Sequence, residues 1–170
     1  MWRWVLGAVV VLIVLATPAC AGAGGARLAD DGTLTDGRGK CRTRLSTDFP
    51  RQQPAGVPKD YVTSRDSSAF VTLYAYSDVS LEEAIRRGAE ATAPVVTGYR
   101  QQQFNNASGT NSRKVNFDGT RDGRPGRGTV YAQGFGSTTC VLIFFLVQGS
   151  RVSYDPTLQA LIVALQPAGR

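Results

Sequence analysis

The chain has 170 residues, of which 42% are hydrophobic and 19% charged, with a formal net charge of +6. That length holds one domain plus a leader, and the hydrophobic share excludes a wholly disordered chain. Histidine is absent, which removes Ser-His-Asp and Cys-His catalysis and the commonest zinc ligand. An enzyme would have to run on carboxylate, lysine or tyrosine chemistry. The positive balance reads first as solvated surface charge and second as attraction to anionic surfaces such as phospholipid or wall polymer. It falls well short of the excess of a nucleic-acid-binding domain, and no nucleic-acid partner is expected.

Val5 to Ala16 is apolar and uncharged. A spanning helix needs roughly 20 apolar residues, so this run predicts the h-region of a secretory signal behind a short n-region carrying Arg3. Pro18 ends it, and Ala19, Ala21 and Ala23 follow. Two cleavage readings stand. In "LATPAC" the Ala19-Cys20 pair resembles a bacterial lipobox, which makes Cys20 a lipid anchor, although Thr17 and Pro18 depart from that pattern. Alternatively Ala19 and Ala21 form an ordinary A-x-A site and Cys20 leaves with the signal. The predicted organisation is a signal peptide over 1–19, a flexible tether over 20–39 and a single folded domain over 40–170. The tether reading rests on Gly, Ala, Asp and Thr with almost no large apolar residue, and such a segment reaches about 25 Å.

Within the domain, "CRTRLSTDF" alternates loosely as a first strand, and "PRQQPAGVPKD" with its prolines must be loop. "SAFVTLYAYSD" alternates strictly. Ala69, Val71, Leu73 and Ala75 share one face, and Phe70, Thr72, Tyr74 and Tyr76 the other. Ser80 stands three residues before Glu83 as a capping box, with Leu81, Ala84, Ile85 and Ala89 in a helical stripe that Pro94 closes. "YRQQQFNN" and "RKVNFDG" predict strands joined by the polar turn "NASGTN". "GRGTVYAQGF" and "TTCVLIFFLVQ" predict the next pair around a Gly-Ser turn. Val141 to Val147 lacks alternation, so it is expected as a central strand covered on both faces. "DPTLQALIVAL" closes the chain as a helix, with Asp155 at the N-cap, Pro156 at the first position and Leu158, Leu161, Ile162 and Leu165 inward. The result is an α+β fold, an antiparallel sheet packed by two helices.

Of the three cysteines, Cys20 leaves the pool under either cleavage reading and Cys41 and Cys140 remain. Export favours a disulfide between them over two free buried thiols.

The element order is similar to the PsbP-like fold, found in photosystem extrinsic subunits and in small actinobacterial lipoproteins of the LpqN type. The stretches carrying the resemblance are "AFVTLYAYSDVSLEEAIRRG", "VNFDGTRDGRPGRGTVYAQGFGSTTCVLIFFLVQ" and "DPTLQALIVAL", spanning about residues 48–165. A Pro-Gly-Trp segment usual near the domain start is replaced by "PAGV". The resemblance implies a PsbP-like sandwich and a non-enzymatic binding or assembly factor, and it carries no site residue across.

Candidate sites are few. The loop "DGTRDGRPGRG" holds Asp118 and Asp122, but it lacks the alternating ligands and closing Glu of a calcium loop and interleaves Arg121, Arg124 and Arg127. Those arginines are a candidate anion-binding patch, with a solvated hairpin as the competing reading. Glu82, Glu83 and Glu90 could supply acid–base carboxylates, but all lie on the exposed side of a helix or at its start, and helix dipole and capping explain Glu82 and Glu83. Phe70, Tyr74 and Tyr76 line either a groove or the floor under a helix. Asn106 in "NAS" matches a glycosylation acceptor. No catalytic residue, metal or cofactor is assigned. The expected protein is exported and lipid-anchored through Cys20 on the outer face of a cell membrane, and it binds or assembles with a protein or envelope polymer. A secreted basic protein that binds anionic envelope polymers is the first alternative, and a carboxylate-based hydrolase the second.

Overall fold

A computed structural model describes residues 26–50, 61–102 and 107–169. The predicted signal peptide, Cys20 and Asn106 lie outside the described residues. The elements in chain order are β1 (Arg27–Leu28), β2 (Thr33–Thr35), β3 (Cys41–Arg44), β4 (Val62–Thr63), β5 (Ala69–Ser77), α1 (Leu81–Thr92), β6 (Thr97–Gln101), β7 (Ala107–Ser108), β8 (Ser112–Arg121), β9 (Arg124–Phe135), β10 (Thr138–Val147), α2 (Tyr154–Val163) and β11 (Gln166–Pro167). They form an α+β fold, as expected, built on two antiparallel sheets. A seven-stranded sheet runs β4-β5-β10-β9-β8-β6 with β7 also on β8, and a four-stranded sheet runs β1-β2-β3-β11.

Alternation sorts the large sheet into two cores. From β5 and β10, Ala69, Val71, Leu73, Ala75, Leu142, Phe144 and Leu146 face the small sheet and α2, which contributes Leu158 and Leu161. Phe70, Val141, Ile143, Phe145 and Val147 face the other way, toward Ala84 and Ile85 of α1. β10 lies between β5 and β9 and is buried on both faces. An uninterrupted apolar run is what such a position requires.

The helix α1 starts where its capping box places it: Glu83 N donates to Ser80 Oγ at 3.2 Å. Its buried stripe is Ala84, Ile85, Gly88 and Thr92, so Gly88 replaces the expected Ala89. A Cβ at Gly88 would stand 2.7 Å from Val130 Cγ1 and 2.9 Å from Val141 Cγ1. The helix rests on the sheet through that missing side chain. On the outer face Glu83 binds both Arg86 and Arg87, in exposed pairs that contribute little.

The predicted tether is partly folded. Residues 26–39 supply β1 and β2, with Leu34 fully buried and Asp36 2% exposed. Asp36 Oδ1 accepts from the amides of Lys40 (2.7 Å) and Cys41 (2.6 Å), and Oδ2 from Arg38 N (2.8 Å). One buried carboxylate thus replaces the hydrophobic alternation by which a strand pair is normally read. The first predicted strand, β3, accordingly joins the small sheet and not the large one. Helix α2 begins one residue before its predicted N-cap, with Ser153 at the cap and Tyr154 buried in the first turn.

Cys41 of β3 and Cys140 of β10 are disulfide-bonded across the two sheets, with Cα atoms 5.7 Å apart and a sequence separation of 99. Both are fully buried.

Candidate functional site

The arginine-rich segment expected to be a loop is strand almost throughout. β8 and β9 run up to a two-residue turn, Asp122-Gly123, in which both φ angles are positive (+51° and +74°). That is the geometry an Asp-Gly hairpin adopts. Register then fixes where each arginine points. Arg121 faces Arg124 directly across the turn, and Asp118 faces Arg127. Arg124 and Arg127 are an odd number of residues apart, so they emerge on opposite faces of the sheet. The predicted patch of Arg121, Arg124 and Arg127 is therefore not one surface. Arg121 and Arg124 share the α1 face, and Arg127 stands on the α2 face.

On that α2 face the apolar core stops at β9 and polar side chains take over. Arg127 lies over the Tyr154 ring, with Cζ 4.1 Å from the centroid. Tyr154 Oη and Thr129 Oγ1 are 2.7 Å apart, and Thr129 Oγ1 donates to Asn116 Oδ1 at 2.5 Å. Gln102 Nε2 donates to Asp118 Oδ1 at 2.8 Å. A cleft of about 470 Å³ opens over this network, lined by Gln102, Lys114, Asn116, Arg127, Tyr154 and Asp155 among others. A second cleft of about 570 Å³ lies beyond Arg127, toward the β8–β9 turn. Its walls include Arg100, Asp118 and Gln148, with exposed glycines at Gly98 and Gly149. Arg127 lines both clefts. Burial pushes the Tyr154 phenol above its ordinary 10.0, with the Thr129 hydrogen bond and Arg127 opposing. It is a neutral hydrogen-bonding group at physiological pH.

The other candidates fall elsewhere. Glu82 pairs with Arg113 across to β8 at 2.7 Å, and Glu83 and Glu90 bind α1's own arginines. Their roles are those of a helix surface. Phe70 is buried in a row of rings with Phe145 and Phe117. Tyr74 and Tyr76 stack at 6.4 Å beside α1, whose Arg87 sits 5.4 Å over the Tyr76 ring. Burial raises the Tyr76 phenol. Arg100, Lys114 and Tyr154 were not legible as site residues. They come together through the pairing of β6, β8 and β9 and the docking of α2, which no local pattern encodes. Among the described residues no cluster of His, Cys, Asp and Glu is arranged to hold a metal, and no helix is long and apolar enough to cross a membrane.

No family model and no curated protein matches the sequence. Among solved structures, the chain is similar to LpqN of Mycobacterium tuberculosis, described as involved in cell envelope biogenesis, at 6% identity and a TM-score of 0.47. The match covers 76% of this chain and 83% of that one. It is also similar to the cyanobacterial PsbP (CyanoP) of Synechocystis sp. PCC 6803, at 5% identity and a TM-score of 0.47. That match covers 90% of this chain and 98% of the other. The α+β assignment stands on the chain's own sheets and helices.

Proposed function

We propose that the chain is an exported protein of the cell envelope, held at the outer face of the membrane through a lipidated Cys20. Its folded body binds a ligand and does not catalyse. The ligand is an anionic, hydroxyl-rich group of an envelope polymer, seated around Arg127. Export is supported by the short apolar leader and by the Cys41–Cys140 bond, a type of cross-link that persists in oxidising compartments.

One observation carries the binding reading. Arg127 is pre-positioned on Tyr154 at the junction of two clefts, and it makes no ion pair among the described residues. A guanidinium fixed by stacking keeps its in-plane N–H donors for an incoming oxyanion, and less freedom is lost when that anion binds. Arg100 and Lys114 add charge, while the exposed backbone at Gly98 and Gly149 suits hydroxyls. Asp118 lines one of these clefts and Asp155 the other, so attraction is directed and not a broad positive field.

The test is calorimetric titration of the oxidised mature protein with glycerol-phosphate oligomers and with a neutral glucan of similar length. Binding to the anionic oligomer alone is expected, weakening as salt rises from about 50 to about 500 mM, and lost in Arg127→Gln. Equal binding of the neutral polymer, or an unaffected Arg127→Gln variant, refutes the cleft. The anchor is tested separately by intact mass of membrane-fraction protein. A diacylglyceryl start at Cys20 supports it, and a free start at Gly22 or beyond removes it.

A further inference from the structure

Arg121, on the opposite face of the sheet from Arg127, is a buried cation without a matching anion. Its side chain is only 10% exposed, with Cζ 5.2 Å from the Tyr61 ring centroid and 5.1 Å from that of Phe70. The nearest carboxylate, Asp122 Oδ2, is 3.5 Å from Nε, belongs to a turn residue whose side chain is 83% exposed, and leaves the far end of the guanidinium untouched. Nη1 is buried with no hydrogen-bond partner among the described residues. A guanidinium cannot shed its proton, and a buried charge-bearing donor left unpaired is costly. The two rings offset part of that cost, but they accept no hydrogen bond from Nη1.

We propose that Arg121 Nη1 is the anchor of a second site, one that takes a phosphate oxyanion. The chemistry follows from three features. The donor set is a planar fork, which matches two oxygens of a phosphate. Arg124 is the direct cross-strand neighbour of Arg121 and is exposed, so a second cation stands beside the first where a dianionic group can use it. Beside the guanidinium lie the Tyr61 and Phe70 rings, tilted at 50° to each other with centroids 5.4 Å apart, which bring apolar ring carbon and no anion. Phosphate reaches such a site either free or as the headgroup of an amphiphile whose apolar part lies toward the rings. The site is distinct from the Arg127 clefts, because strand alternation sends the two arginines to opposite faces of the same hairpin.

The test uses the oxidised mature protein with arginine Nε–Hε resonances followed by NMR. The probes are inorganic phosphate and a short-chain phosphatidic acid below its micelle concentration. The expected result is a saturable shift at Arg121, with affinity reduced about tenfold or more in Arg121→Gln and unchanged in Arg127→Gln. Tighter binding of the phosphatidic acid assigns the site to a lipid headgroup, and equal affinity assigns it to free phosphate. Absence of any shift at Arg121 with either probe overturns the proposal, as does binding that persists in Arg121→Gln. Should the Gln variant fail to fold, Arg121→Lys replaces it. Lys keeps the charge and loses the fork, so the site predicts weaker binding there, and undiminished affinity counts as refutation. Because Arg127→Gln tests the clefts and Arg121→Gln tests this site, either reading can fail without the other.

Discussion

Arg127 of β9 sits over the ring of Tyr154 at the start of α2, with the guanidinium carbon 4.1 Å from the ring centroid. The contact continues inward. Thr129 Oγ1 spends its proton on Asn116 Oδ1, so the Tyr154 hydroxyl must be the donor in the 2.7 Å contact between the two. Cation, ring, hydroxyl and amide thus form one chain that pins the first turn of α2 to the sheet at the border between apolar core and polar cleft.

That chain predicts how two substitutions combine. Tyr154→Phe removes the phenol donor and is expected to cost about 1 kcal/mol. Arg127→Ala loses the stacking and is expected to cost about 0.5–1 kcal/mol, because Arg127 is exposed. Phe keeps the ring on which Arg127 lies, so the double variant should show near-additive losses in urea unfolding. Tyr154→Ala removes ring and donor together and should cost about 3–5 kcal/mol. A strongly non-additive Tyr154→Phe/Arg127→Ala pair would mean that the hydroxyl, not the ring, positions the guanidinium.

The Cys41–Cys140 bond joins the two sheets, and each cysteine is fully buried. Closing a chain of that length constrains the unfolded state by about 4–5 kcal/mol on the chain-entropy model. The double variant Cys41→Ser/Cys140→Ser should lose at least that amount, since it also buries two hydroxyls among apolar side chains. Cys41→Ala/Cys140→Ala isolates the cross-link. Guanidinium unfolding of the oxidised, reduced and Ala-substituted proteins should rank oxidised well above the other two. Equal midpoints would show that the reduced chain keeps the sheets together without the bond.

The alternation of Ala69–Ser77, the Ser80 cap and the unbroken run of β10 were readable because each is a local signal with a local cause. The small sheet was not. Its β2 strand carries one buried aliphatic residue, Leu34, and its turn is held by Asp36, a charged residue that composition assigns to solvent. Gly88 was missed for a related reason. A glycine in a helical stripe reads as a gap, whereas here the gap is the contact. The arginine hairpin shows the opposite failure. Its Asp122-Gly123 turn was in plain view, and counting residues from it would have sent Arg124 and Arg127 to different faces. The clefts depend on which strands become neighbours, and only the folded sheet supplies that.

Two glycines test close packing against propensity. Gly88→Ala gains about 1 kcal/mol of helix propensity, but its Cβ would press on Val130 and Val141, at an overpacking cost of about 1–3 kcal/mol. The net expectation is a loss of about 1 kcal/mol and a lower Tm. A raised Tm would show that the two valines give way. Gly128→Ala gains about 0.5–1 kcal/mol of backbone preference in the strand, but its clash is closer, 2.2 Å from Phe117 Cζ. The new Cβ would overlap the ring of Phe117, itself fully buried and stacked between Tyr99 and Phe145, so the larger loss belongs there.

Asp66 gives the fold a dependence on acid. Burial alone would raise its carboxyl, but hydrogen bonds from the Ser64 and Ser68 hydroxyls and from the Ser68 and Arg151 amides outweigh it and hold the pKa at about 2, below the ordinary 3.8. Oδ1 accepts from Ser64 Oγ and Ser68 Oγ at 2.6 Å each, and Ser68 Oγ in turn meets Ser150 Oγ in the loop after β10. The carboxylate therefore ties the β4–β5 turn to that loop. Between the two pKa values the unfolded chain binds more protons than the folded one, so stability falls as pH drops from 3.8 toward 2 and is fully present above that window. Asp66→Asn lacks the titration. Urea midpoints of the two proteins should differ by a constant amount above pH 4 and converge as the solution approaches pH 2. Because Asp66 is exposed, the convergence should be modest in size. A gap that stays constant down to pH 2 would mean that the serine hydroxyls hold the turn without the charge.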